Sequence, residues 1–187
     1  MGSRRVVNID GLDIGGNSPV RVESMLKTPL TNVEDCRLEA EMLYEEGCEL
    51  VRVSFPDLSL AKNFSRLIAS VPIKIMADIH FNHKLAISAL ESGCKSIRIN
   101  PGNMSDKSGL RDVIKLAQET GSVIRIGANG GSLNNAQLAS AAGDRAAALV
   151  SAVEEQVDIL QHEGFGNIII SAKSSSVPET LRANALL

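Results

Sequence analysis

The sequence contains no tryptophan, one tyrosine and four phenylalanines among its 187 residues. Single-stranded nucleic acid is held by stacking bases on aromatic faces along a basic groove, and duplexes by a surplus of lysine and arginine against their phosphates. With 19 basic against 22 acidic side chains and a net charge of -3, neither is offered, so nucleic acid is excluded as a partner. No uninterrupted apolar run approaches the roughly 20 residues that span a bilayer as a helix, and no membrane association is expected. The segment from Met1 to Asn8 lacks the apolar stretch of a secretory signal. Its sixth position is Val6, where a myristoylation motif requires serine or threonine. The three cysteines, Cys36, Cys48 and Cys94, are odd in number and show no CxxC spacing, which suits free thiols in a reducing compartment. A cytoplasmic protein is the expectation. What is plentiful is aliphatic: 44% of the residues are hydrophobic, enough for a buried core and too many for a disordered chain.

Those aliphatic residues fall in short β-branched runs separated by longer helical patterns. The runs are Val20-Arg-Val22, Leu50 to Ser54, Ile73 to Ile79, Ser96 to Ile99, Val123 to Ile126 and Ile168 to Ile170, each the length of a buried strand. Helices are predicted from a capping box at Thr31-Asn-Val-Glu34 to Gly47, from about Ser59 to before Pro72, in a third segment ending at Gly93, and from about Ser108 to Gly121. The longest runs from Asp144 to Gly164, with Leu149, Val153, Val157 and Leu160 along one face. A sixth starts at Pro178, a residue suited to a first helical turn. Alternating βα units imply an α/β fold with a parallel sheet and helices outside it. From the pattern alone, an open doubly wound sheet and a (β/α)8 barrel both remain, although a barrel needs eight units and typically about 250 residues.

In either architecture, ligands sit at the C-terminal ends of the strands. Polar residues interrupt the aliphatic runs at those ends. Strand two carries Arg52, strand three Asp78 and His80, strand four Arg98 and Asn100, strand five Arg125 and Asn129, and strand six Lys173. Side chains alternate faces with period two, so Asp78 shares a face with His80, Arg98 with Asn100, and Arg125 with Asn129. A lone strand arginine is commonly a salt-bridged residue, Asp78-x-His80 is too few ligands for a metal site, and Gly130-Gly131 alone is a loop. Together, Arg52, Arg98, Arg125 and Lys173 bring four cations to one mouth of an acidic chain. Convergent arginine and lysine is how diphosphates are clamped, so the residues point to a site for a phosphorylated small molecule. The cysteines, two of them placed just before strands two and four, are expected as small core fillers.

Taken in order, Val51-Arg-Val53, Ala77-Asp-Ile-His-Phe81, Ile97-Arg-Ile-Asn-Pro-Gly-Asn103, Ile124-Arg-Ile-Gly127 with Asn129 and Gly131-Ser-Leu133, and Ser171-x-Lys173-x-Ser175 resemble the 4-hydroxy-3-methylbut-2-enyl diphosphate synthase family. The resemblance includes Glu23-Ser-Met25 and runs from about Val6 to the C-terminus. It implies a (β/α)8 TIM-type barrel, truncated to about six βα units, with residues 1–187 as the N-terminal barrel portion of an iron–sulfur enzyme. It also implies reductive ring opening of 2-C-methyl-D-erythritol 2,4-cyclodiphosphate in non-mevalonate isoprenoid biosynthesis. On this basis Arg52, Arg98, Arg125 and Lys173 would hold the diphosphate, and Asp78, His80, Asn100 and Asn129 would line the same mouth and orient the rest of the substrate. The family's 4Fe-4S cluster binds through cysteines of a C-terminal domain that Cys36, Cys48 and Cys94 do not match. The family's acid–base glutamate also falls beyond Leu187. No catalytic residue or metal ligand is therefore expected in this stretch, and it should be inactive alone. The full-length family implies a homodimer and flavodoxin or ferredoxin as electron donor. Asn82-His-Lys84 departs from the family's usual Asp-Tyr-Arg, and Ala128 from its usual valine. The rival expectations are a dihydropteroate-synthase-like barrel for a pterin diphosphate, and a non-catalytic phosphate-binding module.

Overall fold

The computed structural model describes residues 3–79, 82–101 and 106–187. The aliphatic runs pair as a six-stranded parallel sheet in sequential order: β3 (Glu23–Met25), β4 (Leu50–Ser54), β5 (Lys74–Asp78), β6 (Ser96–Arg98), β7 (Val123–Asn129) and β8 (Ile168–Lys173). Helices α1 (Val33–Glu45), α2 (Ala61–Ser70), α3 (His83–Glu91) and α4 (Lys107–Glu119) follow the first four of these strands, α5 (Asn135–Ser140) and α6 (Arg145–His162) follow β7, and α7 (Val177–Leu186) follows β8. Period two sorts the strand residues. Val51, Val53, Ile75, Ala77, Ile97, Ile124 and Ile126 pack outward in one cluster with helix residues such as Ala40, Phe64, Ala86, Val113 and Leu160. Leu50, Met76 and Val123 point the other way and form a second, inner cluster. The sheet is curled as six strands of a TIM-type barrel. The pairing of Glu23 on β3 with Arg125 on β7, at 2.5 and 2.7 Å, makes the curl concrete, because three strands lie between them in the sheet order.

Two features differ from the sequence-based expectation. The first barrel strand is Glu23–Met25, not Val20-Arg-Val22. Val20 is 95% exposed, and the ladder to β4 begins only where Glu23 meets Leu50. The run has the composition of a strand, but it reaches β4 only at its end, where the Val22 carbonyl accepts from the N–H groups of Glu49 and Leu50. The other difference is an antiparallel hairpin, β1 (Val6–Ile9) and β2 (Leu12–Gly15), joined by Asp10-Gly11. Both turn residues have positive φ, 48° and 93°, as an Asp-Gly two-residue turn requires. Val7 and Ile9 join the inner cluster with Leu50, Met76 and Val123, so the hairpin closes the N-terminal floor of the barrel. Lys74 Nζ on Asp10 at 2.8 Å helps fasten it.

Helix ends mostly follow the expected punctuation, with one correction. Asn32 is the N-cap of α1 but makes no side-chain capping bond, so the box at Thr31-Asn-Val-Glu34 does not form. Glu34 pairs with Arg37 instead. A complete capping box forms at Asn134 and Gln137, starting α5. On α6, Leu149, Val153 and Leu160 are fully buried as their spacing predicted. Among the described residues, no helix is long and apolar enough to cross a membrane.

Candidate functional site

Arg52, Asp78, Arg98 and Arg125 all face the barrel interior, together with Glu23. The register explains the convergence: Asp78 lies beside Arg98 in the β5–β6 pair, and Arg98 beside Arg125 in the β6–β7 pair. Outward neighbours Ala77, Ile97, Ile124 and Ile126 anchor each strand in the helical layer, leaving the charged residues only the inner face. Asp78 is 3% exposed. It accepts a 2.9 Å bond from Arg98 Nη1 and faces Arg52 Nη2 at 3.5 Å. On its other side, Arg52 Nη1 lies 3.5 Å from Glu23 Oε1, and Glu23 holds Arg125. Arg125 Nη2 also donates to Ser171 Oγ at 3.4 Å. The result is a chain of alternating charge, Arg98–Asp78–Arg52–Glu23–Arg125, across the interior. A buried carboxylate such as Asp78 needs this pairing, because an unpaired buried charge is costly.

Arg52 is held loosely. Both of its carboxylate contacts are at 3.5 Å, one nitrogen donates to Met25 Sδ at 3.2 Å, and its buried Nε has no hydrogen-bond partner. Three arginines against two carboxylates leave the cluster with spare N–H donors and one net positive charge. Glu23, Arg125 and Ser171 border a cavity of 460 Å³ between β3 and β8.

The remaining expected site residues are placed unevenly. Asn129 and Lys173 are register partners at the ends of β7 and β8, and Lys173 is exposed. Asn100 is half-buried just beyond β6. His80 lies outside the described residues. After Asn129, the Gly130-Gly131 loop is pinned by Arg145 Nη2 on the Gly130 carbonyl at 2.9 Å. Ser174 bonds Glu179, which pairs with Arg145. Sequence reasoning did not single out Glu23 or Ser171 as site residues. Placing the first strand three residues early put Glu23 beyond its end. Ser171 could have been found from its position two residues before Lys173, on the same strand face.

The donor set for a metal centre is a different matter. Among the described residues, no three His, Cys, Asp or Glu side chains are grouped to hold a metal ion. Cys36, Cys48 and Cys94 are buried and free, and each faces backbone carbonyl oxygens, Cys94 those of Ile75 and Ser96, for example. Burial pushes the Cys94 thiol up to about 11. An iron–sulfur cluster takes about four close ligands, so these separately buried thiols do not fit one.

Residues 4–187 match the family described as the GcpE TIM-barrel domain. The chain is 42% identical over 183 residues to the 4-hydroxy-3-methylbut-2-en-1-yl diphosphate synthase (flavodoxin) of Maridesulfovibrio salexigens, covering 98% of this chain and 51% of that protein. It is 41% identical over 181 residues to the protein of the same name from Thermotoga maritima, covering 97% and 51%. The chain thus spans about half the length of these relatives. Among solved structures, Yersinia pestis dihydropteroate synthase superposes with a TM-score of 0.64 at 12% identity, over 90% of this chain and 63% of that one. The N-acetylneuraminic acid synthetase of Leptospira borgpetersenii gives 0.60 at 16%, over 95% and 61%. At such identities the likeness concerns the fold alone.

Proposed function

The chain belongs to the GcpE TIM-barrel family, and on that premise we propose that residues 1–187 are the substrate-binding barrel portion of a 4-hydroxy-3-methylbut-2-enyl diphosphate synthase. Its task is to hold 2-C-methyl-D-erythritol 2,4-cyclodiphosphate while the ring is opened reductively. The observation that carries this is the convergence of Arg52, Arg98 and Arg125 on one inner face, with donors to spare. Guanidinium groups present fixed, paired donors that match phosphate oxygens. Arg52, Arg98, Arg125 and Lys173 bind the diphosphate. Asn100, Asn129 and His80 orient the rest of the substrate, and Asp78 acts by setting the angle of Arg98 and Arg52.

In this proposal a 4Fe-4S cluster would supply the electrons and would be held by protein outside these residues, in a homodimer served by flavodoxin or ferredoxin. The names of the relatives specify flavodoxin for those proteins. This chain alone would bind substrate without turning it over, in a cytoplasmic setting. Calorimetry with the cyclodiphosphate tests the binding. Arg98→Ala should weaken it by about 1.5–3 kcal/mol, the worth of a charge-assisted hydrogen bond. Absence of binding to the unaltered chain, or pterin diphosphate displacing the cyclodiphosphate, would overturn the proposal. A stoichiometric 4Fe-4S cluster after anaerobic reconstitution would refute the division of labour.

A further inference from the structure

We infer that Glu23 sets the anion affinity of the arginine cluster, as an internal counter-anion with which any bound diphosphate must share Arg125. The inference rests on the anion-binding function proposed above and adds a residue that weakens rather than strengthens the grip. Both Glu23 oxygens lie on Arg125 Nη1, at 2.5 and 2.7 Å, and Arg52 Nη1 is 3.5 Å away. This engages one edge of Arg125 and leaves the Nε and Nη2 side, where Ser171 Oγ is the 3.4 Å neighbour. A phosphate taken up there would sit across one guanidinium from a carboxylate.

The two carboxylates of the cluster are not equivalent. Asp78 is 3% exposed and wedged between Arg98 and Arg52, so it cannot be spared without stranding buried charge. The Glu23 side chain is 28% exposed and borders the 460 Å³ cavity with Arg125 and Ser171. Like charges about 7 Å apart at an intermediate effective dielectric repel by enough to change affinity about tenfold. Glutamine at position 23 keeps an oxygen to accept from Arg125 Nη1 and removes the charge. A residue that served only to brace Arg125 would leave affinity unchanged or lower it when altered this way. A counter-anion raises it.

The probe is inorganic pyrophosphate, titrated calorimetrically into the full chain and its Glu23→Gln, Glu23→Asp and Arg125→Ala variants at low and moderate salt. Glu23→Gln should bind about tenfold more tightly, with a steeper loss of affinity as salt rises. Glu23→Asp, which keeps the charge, should stay within about threefold of the parent, and Arg125→Ala should lose binding. Circular dichroism melts confirm that each variant is folded, and Glu23→Ala replaces Glu23→Gln if the latter is not. Equal or weaker binding by the charge-removing variant overturns the inference, as does equal tightening by Glu23→Asp. In either case binding by the parent and its loss in Arg125→Ala would leave the anion site standing. If pyrophosphate binds none of the proteins, the anion site and the inference fall together.

Discussion

Gly127 faces Ser171 across the β7–β8 ladder, and a Cβ at Gly127 would stand 2.4 Å from the Ser171 carbonyl oxygen. Because that atom is backbone, no rotamer change relieves the clash. Gly127→Ala should cost about 1–3 kcal/mol, the usual range for overpacking, read as a lower urea midpoint; an unchanged midpoint would contradict the close approach. The thiols give a second residue-scale prediction. Cys36 and Cys94 titrate above the usual thiol range because burial disfavours the thiolate, and all three cysteines are at most 5% exposed. A disulfide reagent at mildly alkaline pH should label none of them until denaturant is added. At this scale the arginines were legible because a charge inside an aliphatic run stands out. Their pairing was not legible, because Glu23 and Arg125 are 102 residues apart and meet only once the sheet curls.

Among the elements, the β1–β2 hairpin does the most for its size. Ile9 is 1% exposed against Leu50, Met76 and Val123, so Ile9→Ala should destabilise by about 2–5 kcal/mol, measured by denaturant titration. Asp144 starts α6, accepting from the N–H groups of Ala146 and Ala147. Its carboxyl is held below the ordinary value of 3.8, first by the Ala147 bond and then by Arg182. A depressed carboxyl stabilises the fold above its unfolded pKa and loses that contribution as pH falls through the folded one. Asp144→Ala should therefore lower the melting temperature at neutral pH, with the deficit shrinking in strong acid, where the parent has lost the same charge. The element pattern was largely legible because the apolar periods switch cleanly between 2 and 3.6. The hairpin was missed even though Asp-Gly between alternating apolar residues is a strong turn signal; in a chain of parallel βα units it has no place in the repeat. The helix start was misassigned by one residue: Asn32, not Thr31, is the N-cap, which puts Glu34 at the second helical position rather than the third that a capping box needs.

At the scale of the molecule, counting βα units gave the number of barrel strands, whereas their sequential order and curl did not follow from the pattern, which suits a doubly wound sheet equally well. Among the described residues β3 and β8 each pair on one side only, and Val22, Ile170 and Leu181 near these two edges are exposed, at 54%, 41% and 67%. Unpaired strands flanked by apolar side chains recruit other strands. Residues 1–187 on their own should associate with increasing concentration, read by sedimentation velocity or light scattering; a monomer at all concentrations would contradict this.

The hairpin floor also has a consequence in time. Ile9 leaves the ribosome 114 residues ahead of Val123, its partner in the inner cluster. At synthesis rates of about 5–20 residues per second, the hairpin waits roughly 6–23 s for its seat to be completed. During that interval Val7 and Ile9 expose apolar side chains whose seat is incomplete, and a chaperone that shields the β1–β2 hairpin would act before β7 arrives to complete it.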